Sequence, residues 1–170
     1  MAVVTTKSGF ITNRDAGTGT LNNPHLANVL KNAVGTVEGA NGDSIASKFI
    51  MAQVPSNARI SRVLLSCDAI STSGAADCGI YRSTADGGAV VDVDFFASAQ
   101  VLTSALVHSD ITHEADAADA GAGYGRADVE KPLWQALGLT SDPSVLYDVV
   151  LTLTTALGGA GTVNLEVDYV

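Results

Sequence analysis

The feature that most constrains the fold is a strict two-residue alternation near the C-terminal end. From Val163 to Tyr169 every second residue is apolar, and a similar run covers residues 147–154. The glycine-rich stretch 156–161 separates the two runs. Because this period places alternate side chains on opposite faces of a strand, each run predicts a half-buried β-strand. Together they predict an antiparallel hairpin.

Further strands are predicted upstream. A second hairpin is expected from two runs separated by the polar turn residues 71–74, and proline at position 55 is expected to end an earlier strand. The segments with strand patterns are Val34–Glu38, Ser47–Val54, Ile60–Ile70, Asp77–Arg82 and Val101–Val107.

Helical patterns are short. Residues 130–138 have Pro132 near the start and Gly138 at the end, the order typical of one or two helical turns. Leu133, Trp134 and Leu137 would then cover the core. A further turn or two of helix is predicted over Asp92–Ala99.

These elements predict an all-β protein: an antiparallel β-sandwich, specifically a jelly roll, with one or two short helices. The long connections 84–101 and 109–130 disfavour an up-and-down barrel. At 170 residues the chain suits one domain. We expect the jelly roll to occupy residues 34–170, with residues 112–128 as an exposed acidic loop.

Residues 1–33 are predicted to form an extended N-terminal arm. They are rich in Thr, Asn and Gly and show no sustained apolar period, so they cannot build a core of their own. Their scattered apolar side chains are the candidate partner-interface residues: Phe10, Ile11, Leu21, Leu26, Val29 and Leu30.

The charge balance excludes some partners. The chain has 18 acidic residues against 9 basic ones, for a net charge of −9. Proteins that follow nucleic-acid phosphates or anionic membranes need a cationic face, so neither partner is expected. No stretch has the 18 continuous apolar residues of a membrane span, and the first residues lack a signal-peptide pattern. The expected place of synthesis is therefore the cytoplasm.

The two cysteines flank the predicted turn at residues 71–74. Cys67 and Cys78 are equally far from it, so they could face each other and form a disulfide. In a reducing cytoplasm two buried thiols are favoured instead. The sequence leaves the pairing open.

Other residue types with chemical potential do not form a recognised motif. The three histidines, His25, His108 and His113, match neither a hydrolase elbow nor a zinc-binding helix. Asp92 and Asp94 lack the rest of a calcium loop. The sequence therefore predicts no catalytic residue, no metal site and no cofactor. Trp134 could stack on a sugar, although its neighbours favour a core position.

Several blocks of the sequence resemble small capsid decoration (cement) proteins of tailed bacteriophages. The likeness spans about residues 34–170, and the arm is looser. The blocks are Val54–Ile60, Ala76–Tyr81, Thr84–Ala99, Glu130–Pro143, Leu146–Val150, Thr162–Leu165 and Tyr169–Val170.

The resemblance implies a jelly roll on the outer face of the capsid in the virion. It would bind the major capsid protein, bridge neighbouring subunits and stabilise the head without enzymatic activity, as a homo-oligomer (dimer or trimer). The alternatives are another virion or tail structural protein, a glycan-binding jelly-roll module and a cupin-like enzyme. Few aromatics and few histidines disfavour the last two.

Overall fold

Eight β-strands make up most of the described chain. The computed structural model describes residues 29–70, 72–118 and 123–170. Its strands are β1 (Lys31–Gly39), β2 (Lys48–Pro55), β3 (Ile60–Cys67), β4 (Ala75–Arg82), β5 (Val90–Val101), β6 (Leu106–Asp110), β7 (Leu146–Thr155) and β8 (Gly161–Tyr169).

Two short α-helices accompany the strands, α1 (Glu114–Ala118) and α2 (Leu133–Ala136), together with a 3-10 turn over Thr84–Asp86. The predicted helix at 130–138 is thus confirmed in a shorter form. No helix within the described parts of the chain is long and apolar enough to span a membrane.

The strands form two four-stranded antiparallel sheets. Sheet A has the order β1-β8-β3-β6 and sheet B the order β2-β7-β4-β5. Successive pairs β1·β8, β2·β7, β3·β6 and β4·β5 are nested, as in one long hairpin that has been rolled up. The two antiparallel sheets confirm the predicted all-β sandwich, and the nested pairing is typical of a jelly roll. The buried faces of the two sheets form one core.

Both predicted hairpins are wrong, although their strands are present. β7 and β8 lie in different sheets, and so do β3 and β4. A two-residue period shows that one face of a strand is buried, but it does not show which strand pairs with it. Consecutive strands that stack across a sandwich have the same alternation as strands that pair.

Two other local predictions are also wrong. Asp92–Ala99 is predicted to be helical but belongs to β5, where Phe95, Phe96 and Ala97 are all buried. Three consecutive buried residues break the two-residue period because the β4·β5 register shifts at these positions. The predicted strand Val101–Val107 is divided, since β5 ends at Val101 and β6 begins at Leu106.

Helix α2 closes one end of the sandwich through Leu133. The Leu133 side chain is fully buried, and its N–H donates to the carbonyl of Ala58 at 2.7 Å. The neighbouring Trp134 donates its N–H to the carbonyl of Ser56, but its side chain is only partly buried. The sequence predicts that Leu133, Trp134 and Leu137 all cover the core. In the structure this contact is made chiefly by Leu133.

The predicted exposed loop at 112–128 has a buried anchor in its described part. Tyr124 is fully buried, and its hydroxyl donates to the carbonyl of Ile60 at 2.8 Å. Its ring packs against Phe95 and Phe96 with centroid separations of 5.6 and 5.5 Å. The expectation of a wholly exposed loop is wrong. The sequence around Tyr124 is acidic and rich in small residues, but Tyr124 itself packs into the core.

The edges of the two sheets meet where β1 crosses β2. A Cβ atom added at Gly35 would clash with the backbone carbonyl of Met51. Only glycine allows two backbones to approach this closely. The contact fixes β1 against β2 and leaves the outer side of both strands exposed.

A polar network anchors β1 to the centre of sheet A. The Asp168 carboxylate accepts hydrogen bonds from Asn32 on β1 at 2.7 Å and from Arg62 on β3 at 2.8 Å. These two hydrogen bonds, first that of Asn32 and then that of Arg62, lower the pKa of Asp168 below its usual value. The ionised carboxylate therefore links three neighbouring strands.

We expect Leu133→Ala to destabilise the protein more than Trp134→Ala. Removing the fully buried leucine should cost about 2–5 kcal/mol, because it leaves a cavity at the end of the core. Truncating the partly exposed tryptophan should cost less. Urea unfolding of both variants measures the difference, and a larger loss for Trp134→Ala would contradict this view of α2.

Asp168 should make stability depend on pH. Because its pKa is lowered on folding, its contribution is present above the unfolded value of about 4 and is lost as the pH falls through the folded pKa. The melting-temperature gap between wild type and Asp168→Asn should therefore be largest near neutral pH and close in acid. Asp86→Asn, which removes an exposed ion pair with Arg82, is the control and should show little effect. A gap that stays constant with pH would contradict the assignment.

Candidate interaction surface

Ser56 and Asp142 form the most enzyme-like pair among the described residues, but they hold a loop together. The buried Ser56 hydroxyl donates to Asp142 at 2.5 Å and accepts the N–H of Val145 at 3.2 Å. The two described histidines make other contacts: His113 Nδ1 lies 2.9 Å from the carbonyl of Tyr124, and His108 Nε2 lies 3.4 Å from Glu166. His25 lies outside the described residues.

Both cysteines are buried free thiols, as the sequence favoured. Cys67 lies on β3 in sheet A and Cys78 on β4 in sheet B, so they do not face each other across a hairpin. Burial raises the pKa of both thiols. Since the thiolate is the reactive form, this environment suits core packing and disfavours nucleophilic chemistry.

The carboxylates near β5 brace its irregular backbone. Asp77 accepts the N–H of Ala99, and Glu114 accepts the N–H of Ser98, both at 2.7 Å. Burial raises the pKa of Asp92, the side chain of Asp94 raises it further, and the N–H of Asp94 lowers it in part. Within residues 29–70, 72–118 and 123–170, no group of three or more His, Cys, Asp or Glu side chains is placed to hold a metal ion.

Five of the twelve large exposed aliphatic side chains among the described residues lie along one narrow side of the sandwich, where β1 meets β2. We call it the β1–β2 side and define it by Val29, Leu30 and Val34 on or before β1, Ile45 in the connection to β2, and Ile50 on β2. Their exposed fractions range from 55% to 67%. Large exposed aliphatic groups gathered on adjoining elements are typical of an interaction surface.

Two of the predicted partner-interface residues lie on this side. Val29 and Leu30 are exposed directly before β1 begins. The other four, Phe10, Ile11, Leu21 and Leu26, lie outside the described residues. β1 itself starts at Lys31, within the segment that the sequence assigned to the arm.

Sequence reasoning missed Val34, Ile45 and Ile50. One signal for Val34 was present, because its neighbours on the same face of β1, Asn32 and Thr36, are polar. An apolar residue on the polar face of an alternating strand indicates a surface that is covered by something else. Ile50 lies on the outer face of β2 between the buried Phe49 and Met51, in a run whose two faces are both apolar, and Ile45 lies in the connection before β2.

The charges of the β1–β2 side lie around its apolar part. Lys48 places its ammonium 4.7 Å from the ring centre of Tyr81, and Lys31 lies 5.9 Å from that of Tyr169. Glu38 accepts a hydrogen bond from Thr162 at the far end of β1. The middle of β1 carries no charge, so this side offers apolar contacts and an open strand edge.

Comparison with known proteins shows a likeness to a solved phage capsid structure. No protein-family model matches the chain, and no curated protein matches it. Among solved structures the chain is similar to one described as "Cyanophage Pam1 capsid asymmetric unit", with a TM-score of 0.51 and 17% sequence identity. The match covers 82% of this chain and 83% of that chain, and it shows a shared fold.

Proposed function

We propose that this chain is a structural protein of a phage head. It would bind the outer surface of the capsid, bridge neighbouring major-capsid subunits and stabilise the shell without enzymatic activity. The observation that carries the proposal is the shared fold with a chain from the Pam1 capsid asymmetric unit, which extends over 82% of this chain. The sequence blocks that resemble decoration proteins support the same role.

The β1–β2 side suits such a role because it places the exposed side of the domain next to the N-terminal arm, so that both could contact the shell. Val29 and Leu30 connect the exposed side of the sandwich directly to the N-terminal arm predicted for residues 1–33. An arm and a domain that bind the same shell act at a high effective concentration after the first contact. We infer that Phe10, Ile11, Leu21 and Leu26 extend the interface beyond the described domain.

The polar groups of the described domain support a structural role. Ser56, Asp77 and Glu114 each hold backbone groups in place. Cys67 and Cys78 are buried in the core. Ser56, Asp77 and Glu114 thus serve to hold irregular segments of the jelly roll.

A shell presents its binding sites in symmetric groups. We therefore propose that the chain acts as a dimer or trimer on the capsid, with one copy near each set of neighbouring capsid subunits. A reconstruction of particles from the virus that encodes this chain should show the jelly roll on the outer face. Its absence from the particles would overturn the proposal.

Two aspartates at the base of the arm should weaken head binding. We expect the full chain with Val29→Asp and Leu30→Asp to bind heads lacking this protein roughly 10–100-fold more weakly. The reason is the loss of two aliphatic side chains that are exposed in the free domain and that the interface would cover, together worth about 1.4–2.7 kcal/mol. Co-sedimentation with purified heads measures the affinity.

The matched control is Val107→Asp. Val107 is 82% exposed on β6, at the opposite edge of sheet A, and should bind as wild type. Equal affinity of all three proteins would contradict an interface at the β1–β2 side. Unchanged melting temperatures would show that the substitutions leave the domain folded.

A further inference from the structure

β1 is the one long and regular open edge among the strands of the described residues. β2 has a register shift and ends in Pro55. β6 has five residues, a register shift and His108 with a φ of 47°. β5 has three register shifts, and Phe95 in its middle accepts the N–H of Tyr124. β1 pairs with β8 over nine residues without any shift.

Such an edge needs a cover. Every second residue of an edge strand turns its N–H and carbonyl groups away from its only partner, and proteins protect these groups with charges, proline, bulges or a covering segment. From Asn32 to Val37, β1 has no charge and no proline. Val34 in the middle is 56% exposed. Apart from the contact of Gly35 with Met51 on β2, the usual protections are therefore missing along this edge.

We propose that residues 3–12 of the same chain add to the open edge of β1 as a further strand of sheet A. Seven of these ten residues are β-branched or aromatic: Val3, Val4, Thr5, Thr6, Phe10, Ile11 and Thr12. Such residues favour strands, and an added strand satisfies the open main-chain groups while its apolar side chains cover exposed aliphatic ones.

The connecting chain is long enough. Residues 13–30 number 18 and can span up to about 60 Å, whereas the nine residues of β1 extend about 30 Å. Residues 3–12 can therefore reach any part of the edge in either direction. Their attachment to β1 keeps them at roughly millimolar effective concentration, which favours them over the same segment of a second copy.

Net charge favours contact of residues 1–28 with their own domain as a whole, although not with this edge in particular. Residues 1–28 have two basic residues and one acidic residue, whereas the remainder of the chain has seven basic and 17 acidic residues. The segment is thus drawn towards the rest of the molecule. The inference concerns the free chain and does not depend on binding to a capsid, where the same segment would be exchanged between the edge and the shell.

Hydrogen–deuterium exchange of the free full-length chain tests this placement. Residues 3–12 should exchange more slowly than an unstructured peptide. Phe10→Asp with Ile11→Asp should speed exchange in residues 31–39 by about tenfold or more, because the added strand is lost. Deleting residues 2–12 should have the same effect and leave the melting temperature of the sandwich nearly unchanged.

The matched control is Leu21→Asp with Leu26→Asp, which places two aspartates in the same segment outside the proposed strand. It should leave the protection of residues 31–39 unchanged. Unprotected residues 3–12 in the full chain, or equal effects of both double variants, would overturn the proposal. Protection that grows with protein concentration alongside a dimer would also overturn it and assign the edge to a second copy.

Discussion

The sandwich depends on its two last strands, because each is a central strand of one sheet. β8 lies between β1 and β3, and β7 lies between β2 and β4. Leu151 on β7 and Leu165 on β8 are fully buried, so each strand contributes to the core from its own sheet. β1 and β3 pair with β8, and β2 and β4 pair with β7. The two remaining strands, β6 and β5, pair in turn with β3 and β4.

Acidic residues stabilise this arrangement in a chain with few charges. Asp168 joins β1, β8 and β3 through one carboxylate, and Asp77 and Glu114 accept backbone N–H groups that the irregular β5 leaves unpaired. A carboxylate is a strong acceptor for such groups. Part of the acidity that led us to expect no nucleic-acid partner thus serves to bind backbone N–H groups.

The sequence was informative wherever burial follows a regular period. The alternation in 147–154 and 163–169 identified β7 and β8, and Pro132 near the start with Gly138 at the end identified α2. It failed where tertiary contacts override the period. The bulges of β5 bury Phe95 and Phe96 together, and only the folded chain brings Tyr124 to the carbonyl of Ile60.

The candidate surface was predictable to a smaller degree. Val29 and Leu30 could be found because an apolar pair without a period needs a partner. Ile50 could not, since a two-residue pattern does not tell an edge strand from a central one. The close approach of Gly35 to Met51 was likewise not predictable. The two residues are distant in the sequence and become neighbours only when the two sheet edges come together.

The central position of β7 and β8 also determines when the protein can fold. A ribosome makes the chain from its N-terminus, so β1 to β6 are complete before the strands that join them exist. Only β4·β5 and β3·β6 can form among them, because β1 and β2 pair with β8 and β7. Such long-range pairing makes folding slow and leaves apolar strand faces exposed meanwhile. Synthesis of β7 and β8 is therefore required before the native sheets can form, and we expect a nascent chain stalled before residue 146 to be prone to aggregate.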